Sequence, residues 1–171
     1  MGRACAEINL KAIESNLKFI KSQTNSQILA VVKADAYGHG LVPISKAAIE
    51  SGADWLGTAL LEEALTLRKN GIKTPIIAWL TPCGEDFKSA IDLAIDLSIS
   101  SIEVLEEIVV AGSQLGKIPR LHIEIDTGMS RGGVGVEWDD FVSEVSRLTQ
   151  ENKIKIIGIW SHFARADEPE E

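Results

Sequence analysis

The sequence predicts an α/β fold built on parallel strands, and three observations predict it. Six short apolar runs are each separated from the next by a segment of helix length. The longer segments carry apolar residues at three- and four-residue spacing. Glycine and proline punctuate the joins, as with Gly71 and Pro75, or Gly116 and Pro119. Strands that alternate with helices call for crossover connections and parallel pairing, a pattern that leaves a (β/α) barrel and a doubly wound sheet both open.

Taken in order, an opening segment covers residues 4–10. Residues 11–22 then place Ile13, Leu17 and Ile20 on one face and Lys and Glu on the others, which predicts an amphipathic helix. Residues 28–32 read as the first strand. A helix is expected over 43–51, with Pro43 near its start and Gly52 where a left-handed stop belongs. Further strands are expected at 55–59, 75–80, 97–100, 120–126 and 154–162, with helices near 61–69, 86–93, 102–114 and 138–150. No linker, low-complexity stretch or internal repeat divides the chain. Residues 164–171 follow the last strand with no covering helix, so the chain is expected to be truncated.

The bulk properties exclude several function classes. At 171 residues and 45% apolar content, the chain is long enough for one domain with a substantial core. Its net charge of −8, with no stripe of Lys and Arg, argues against a nucleic-acid partner. Cys5 and Cys83 lie far apart without CxxC spacing, which points to neither zinc nor a disulfide framework. No signal-peptide core opens the chain, and no apolar run approaches the roughly 20 residues that cross a bilayer. The expectation is a cytoplasmic protein with no membrane contact.

The chemistry is concentrated in three segments. Ala30-Val31-Val32-Lys33-Ala34-Asp35-Ala36-Tyr37-Gly38-His39-Gly40 places a lysine at the C-terminal end of an apolar strand, ahead of a glycine-containing loop. Active sites of parallel α/β folds are built at that end. Apolar surroundings lower a lysine's pKa and prepare it for Schiff-base chemistry, while Tyr37 carries a hydroxyl suited to a phosphate. A Lys33 that merely snorkels to solvent is the other reading of the same pattern. In the fifth strand, His122, Glu124 and Asp126 alternate with apolar residues and so share one polar face. Burying that face demands partners or water, as near a site. A metal triad is the competing thought, but no second ligand cluster accompanies it, and no metal is expected. The continuation Asp126-Thr127-Gly128-Met129-Ser130-Arg131-Gly132-Gly133 contributes an arginine, and the sixth strand ends in Gly158-Ile159-Trp160-Ser161-His162-Phe163-Ala164.

The run from Ala30 to Gly40 resembles the cofactor-lysine signature of the alanine racemases, and the segments around Arg131 and His162 resemble two later motifs of that family in the same order. The resemblance implies a (β/α)8 TIM-type barrel of which about the first six strands are present. Residues 1–171 would be the N-terminal part of the barrel domain, with the rest of the barrel and a C-terminal β-domain absent. It also implies pyridoxal 5'-phosphate as cofactor. Lys33 would be its Schiff-base lysine and a catalytic base, and Tyr37 would hydrogen-bond its phosphate. Arg131 would reach the cofactor's phenolic oxygen and the substrate carboxylate, and His162 would pack against the pyridine ring. Trp160 would be a supporting residue, and His39 is assigned to structure.

One position departs from the family pattern. Many racemases carry a carbamylated lysine seven residues before that arginine, where this chain has Glu124. A glutamate would supply the negative charge directly. The activity implied is interconversion of L- and D-alanine, supplying D-alanine for peptidoglycan, in a homodimeric parent enzyme. Its second base, a tyrosine of the partner subunit's later sequence, has no match here, so the fragment alone is expected to be inactive. A serine or broad-specificity racemase and a noncatalytic cofactor-binding barrel protein stand as the other readings. Trp79 or Leu80, at the end of the third strand, is expected to line the substrate pocket.

Overall fold

The computed structural model describes residues 4–168, so Met1 to Arg3 and the last three residues of the acidic tail, on which part of the truncation expectation rests, lie outside the described residues. Six strands form one sheet in sequence order: β1 (Leu29–Val31), β2 (Trp55–Leu60), β3 (Ile76–Leu80), β4 (Asp96–Ile99), β5 (Arg120–Glu124) and β6 (Lys155–Trp160). The registers of β1 with β2, β4 with β5 and β5 with β6 are all parallel. Helices α1 (Leu10–Ser22), α2 (Leu41–Glu50), α3 (Leu61–Lys69), α4 (Phe87–Asp92), α5 (Ile102–Leu115) and α6 (Trp138–Gln150) occupy the intervening stretches. The chain divides into two units, one ending at Ile77 and one beginning at Ala78.

In the first unit, α1 starts where Asn9 accepts hydrogen bonds from the backbone N–H groups of Lys11 and Ala12 at 3.0 and 3.3 Å. Those are two of the donors a helix start leaves unpaired. Leu17 packs with Ala48 and Ala53 against Ile28 and Ala30, which seats α1 and α2 over β1. Asp54 ties the start of β1 to α1, accepting from the Ile28 N–H at 2.8 Å and from Lys21 at 2.7 Å. Lys21, together with the Ile28 N–H, holds the Asp54 carboxyl below its usual range. Leu56, Leu61, Ala64, Leu67 and Ile76 are completely or almost completely buried and form the core beneath α3.

α2 begins at Leu41, two residues before the sequence expectation. The reason is an outside cap: the Asp35 carboxylate accepts from the Leu41 N–H at 2.6 Å. Gly52, at φ +103°, follows the helix as the expected left-handed stop.

In the second unit every residue of β4 is buried, while β5 alternates buried Leu121 and Ile123 with half-buried Arg120, His122 and Glu124. α5 is capped by Ser101 and ends at Gly116 in the left-handed region. Within α5, a Cβ on Gly112 would lie 2.8 Å from the Pro119 ring, so the helix closes on the following loop only because that residue is glycine. Phe141, Val145 and Leu148 form the buried face of α6. The pairing of β5 with β6 slips by one residue between Leu121 and His122, so that His122 faces Gly158 and Glu124 faces Trp160. The His122 imidazole occupies the space that a side chain on Gly158 would need, with Nδ1 3.0 Å from the position of a Cβ.

Two strands end two residues short of expectation. β5 stops at Glu124 rather than 126, because the Asp126 carboxylate turns into the loop to accept from the Gly128 and Ser130 N–H groups at 2.9 and 3.0 Å. Asp126 therefore leaves the face on which alternation would have put it beside His122 and Glu124. β6 stops at Trp160, so His162 stands beyond the strand.

Candidate active site

The first cluster follows β1. The last ladder bond there is the Val32 N–H to the Gly57 carbonyl at 2.8 Å, and Lys33 comes next, half-buried. The segment Lys33–Gly38 is a single helical turn of the wrong hand: Ala34, Asp35, Ala36 and Tyr37 all lie at φ between 52° and 56°. For residues other than glycine that conformation costs roughly 1–2 kcal/mol each, so the turn stores roughly 4–8 kcal/mol that its contacts must offset.

The contacts are specific. The Ala36 N–H bonds the Val32 carbonyl at 2.9 Å and the Gly40 N–H bonds the Asp35 carbonyl at 2.9 Å. The Ala36 methyl is buried, and the Asp35 side chain caps α2. His39 Nδ1 lies 3.0 and 3.1 Å from the Ala36 and Tyr37 carbonyls. Both partners are acceptors, so Nδ1 carries the proton and the ring spans the turn from outside. The Lys33 ammonium stands 6.0 Å from the centre of the Tyr37 ring, and the ring is largely exposed. Lysine amine and tyrosine hydroxyl are thus presented from one rigid turn.

The second cluster follows β5 and β6. The loop from Asp126 to Gly133 leaves β5 and returns to it: the Val134 N–H bonds the Glu124 carbonyl at 2.8 Å, and the Asp126 N–H bonds the Val134 carbonyl at 3.0 Å. Gly133, at φ +101°, permits the closure, since a Cβ there would sit 2.4 Å from the Asp126 nitrogen. Arg131 is carried exposed on this loop. The half-buried Glu124 carboxylate lies against the backbone of the loop, with Oε1 3.4 Å from where a Cβ on Gly132 would be. Burial raises the Glu124 pKa, and the charge of Arg131 acts in the opposite direction. The backbone N–H groups of Ser130 and Gly128 hold Asp126 below the usual carboxylate range.

Beneath Glu124 on the same face, Asp96 is almost fully buried and accepts from Arg120 at 2.7 and 3.0 Å, with His122 Nε2 at 3.1 Å. Trp160 donates its indole N–H to Ser98 at 2.9 Å and packs on Trp79, ring centres 6.1 Å apart. His162 lies exposed two residues further on, beside a shallow hollow formed with Phe163 and Asp167. Leu80, at the end of β3, is exposed.

Among the described residues no group of three or more His, Cys, Asp or Glu is arranged to hold a metal ion, and no helix is long and apolar enough to cross a membrane. Sequence reasoning passed over Asp35, Glu63 and Asp96. Glu63 alone carried a signal, as an acidic residue in the first turn of a predicted helix.

Fold and clusters together define the class: a parallel α/β protein of the barrel type whose chemistry-bearing side chains are carried after β1, β5 and β6. Residues 8–171 match the N-terminal domain of alanine racemases, and the chain belongs to that family. It is 42% identical over 170 residues to the alanine racemase of Salinispora tropica, covering 99% of this chain and 46% of that one. The alanine racemase of Thermobifida fusca is 44% identical over 167 residues, covering 96% of this chain and 45% of that one. The crystal structure of alanine racemase from D-cycloserine-producing Streptomyces lavendulae superposes with a TM-score of 0.94 at 40% identity, over 96% of this chain and 44% of that one. The chain spans under half the length of the curated relatives it matches. The expectation of a barrel with about six strands present is borne out by this match.

Proposed function

We propose that residues 1–171 form the cofactor-lysine part of the barrel domain of a pyridoxal-phosphate-dependent alanine racemase. The observation that carries the reading is Lys33, the half-buried lysine that closes β1 on a tightly held turn, in a chain matched over residues 8–171 to this family. The residues present suit the cofactor: an amine for its aldehyde, the Tyr37 hydroxyl for its phosphate, and an arginine on the loop beside which the Glu124 carboxylate lies.

When bound, pyridoxal phosphate acidifies the Cα–H of an amino acid by delocalising the electron pair left behind. The rest falls to this chain. Lys33 would hold the cofactor through its ε-amine and, once released by substrate, move the proton on one face of Cα. Tyr37 would donate its hydroxyl to the phosphate. Arg131 would orient the substrate carboxylate, its guanidinium neutralised and aimed by Glu124. His162 would cover the pyridine ring, with Trp160 supporting the segment. Racemisation also needs a base on the opposite face, for which no residue of this chain is assigned.

Alanine is the substrate proposed, and the structure of the Bacillus anthracis alanine racemase, 34% identical with a TM-score of 0.82, holds bound L-Ala-P. The product D-alanine would serve peptidoglycan synthesis in a cytoplasmic, homodimeric enzyme. The test uses protein expressed from the whole reading frame, incubated with pyridoxal phosphate, reduced with borohydride and mapped by peptide mass. The expected result is pyridoxal on Lys33, no labelling there in Lys33→Ala, and L-alanine racemisation in the unreduced protein alone. Specific labelling at another lysine would overturn the assignment. Labelling at Lys33 without racemisation would favour a noncatalytic cofactor-binding protein.

A further inference from the structure

We propose that Glu63 is a positioning residue for Lys33, holding the peptide that follows the lysine; the inference rests on the reading of Lys33 as the cofactor lysine. Glu63 lies half-buried in the first turn of α3. Its Oε2 accepts from the N–H groups of Ala59 and Leu60, at 3.1 and 3.0 Å, where β2 ends. Its Oε1 accepts from the Ala34 N–H at 2.6 Å, across 29 residues of sequence.

The first pair is ordinary capping, in which a glutamate at the third helical position reaches back to the residue before the helix. Capping does not explain the bond to Ala34. Because the peptide between Lys33 and Ala34 is planar, fixing the Ala34 N–H fixes the plane of the Lys33 carbonyl, and with it one of the two backbone torsions that aim the lysine side chain. Ala34 is also the first of the left-handed residues. Its N–H follows the last β1–β2 ladder bond, so one carboxylate continues the link between the two strands after the ladder stops. Only an ionised carboxylate can accept from all three donors; an amide of the same shape would turn an NH₂ group toward at least one of them.

The test compares wild type, Glu63→Gln and the double variant Leu60→Ser with Glu63→Gln, each expressed from the whole reading frame. In the double variant a serine hydroxyl recaps α3 without reaching Ala34. Two properties are read: amide hydrogen exchange at Ala34 in cofactor-free protein, and the pyridoxal phosphate concentration that half-saturates borohydride-trappable labelling of Lys33. In Glu63→Gln we expect Ala34 exchange to accelerate by about ten- to a hundredfold, as for loss of one charged hydrogen bond, and the half-saturating concentration to rise about tenfold. The double variant should recover the thermal midpoint but neither of these readouts.

Unchanged Ala34 exchange in both variants, or recovery of both readouts by the serine, would reduce Glu63 to a helix cap and overturn the proposal. If wild type were never labelled at Lys33, the functional reading would fall, while the exchange data would still decide whether Glu63 holds the turn. If Glu63→Gln folds poorly, the recapped double variant carries the same comparison.

Discussion

Replacing Ala34 by glycine should stabilise the protein, although the same change in a right-handed helix weakens it. Ala34 is exposed and sits at φ 52°, so glycine loses no packing there and keeps the N–H that bonds Glu63. Glycine removes the left-handed penalty of roughly 1–2 kcal/mol. Against this stands the extra freedom of the unfolded chain, about 0.4–1 kcal/mol. The balance is a gain of about 0.5–1 kcal/mol, or about 2–4 °C in thermal midpoint per kcal/mol for a chain of this size. Ala47→Gly, in the middle of α2, is the internal control, with an expected loss of about 1 kcal/mol. Denaturant unfolding of the two variants should give shifts of opposite sign. Equal losses in both would show that residues 34–37 are not left-handed in solution, and the account of how Lys33 is presented would fall with them.

Gly133→Ala should cost about 3 kcal/mol, combining backbone strain with a clash against the Asp126 nitrogen, and in urea unfolding a loss below about 1 kcal/mol would contradict the loop closure. Glu124→Gln should raise the thermal midpoint near neutral pH. Burial raises the folded-state pKa of Glu124, so the stability associated with its protonated form is present below the ordinary carboxylate range and lost as pH rises through the raised value. The neutral amide escapes that loss, so its advantage should vanish by about pH 4, and a midpoint lowered at neutral pH and unchanged in acid would reverse the sign and refute it.

The order of elements was legible because each depends on local pattern. The expected 61–69 and 138–150 helices coincide with α3 and α6, where apolar spacing and chain direction agree. What escaped was set by distant partners. The early start of α2 follows from Asp35, six residues upstream and outside any helical pattern. The short ending of β5 follows from the Asp126 side chain, which prefers two loop N–H groups to the strand face that alternation assigns it. The left-handed turn was invisible because Ala and Tyr disfavour that region and a single Asp, which tolerates it, is too weak a signal, so only the surrounding contacts impose it. Of the candidate residues, Lys33, Tyr37 and Arg131 were named through motif strings, whereas the contacts of Glu63 and Asp96 depend on geometry that no string of neighbouring residues encodes.

The tilted indole pair of Trp79 and Trp160 has a consequence for observing this molecule. Two of its four tryptophans stand 6.1 Å apart at 57°, close enough for their electronic transitions to mix. Mixed transitions in a fixed chiral arrangement give near-ultraviolet circular dichroism of a sign and strength that solitary indoles lack. Trp160 lies two residues before His162 and opposite Glu124 in the β5–β6 register, so this optical signal originates beside the segment proposed to cover the pyridine ring. The chain thus carries an intrinsic chromophore by which ordering of that segment can be followed without a label.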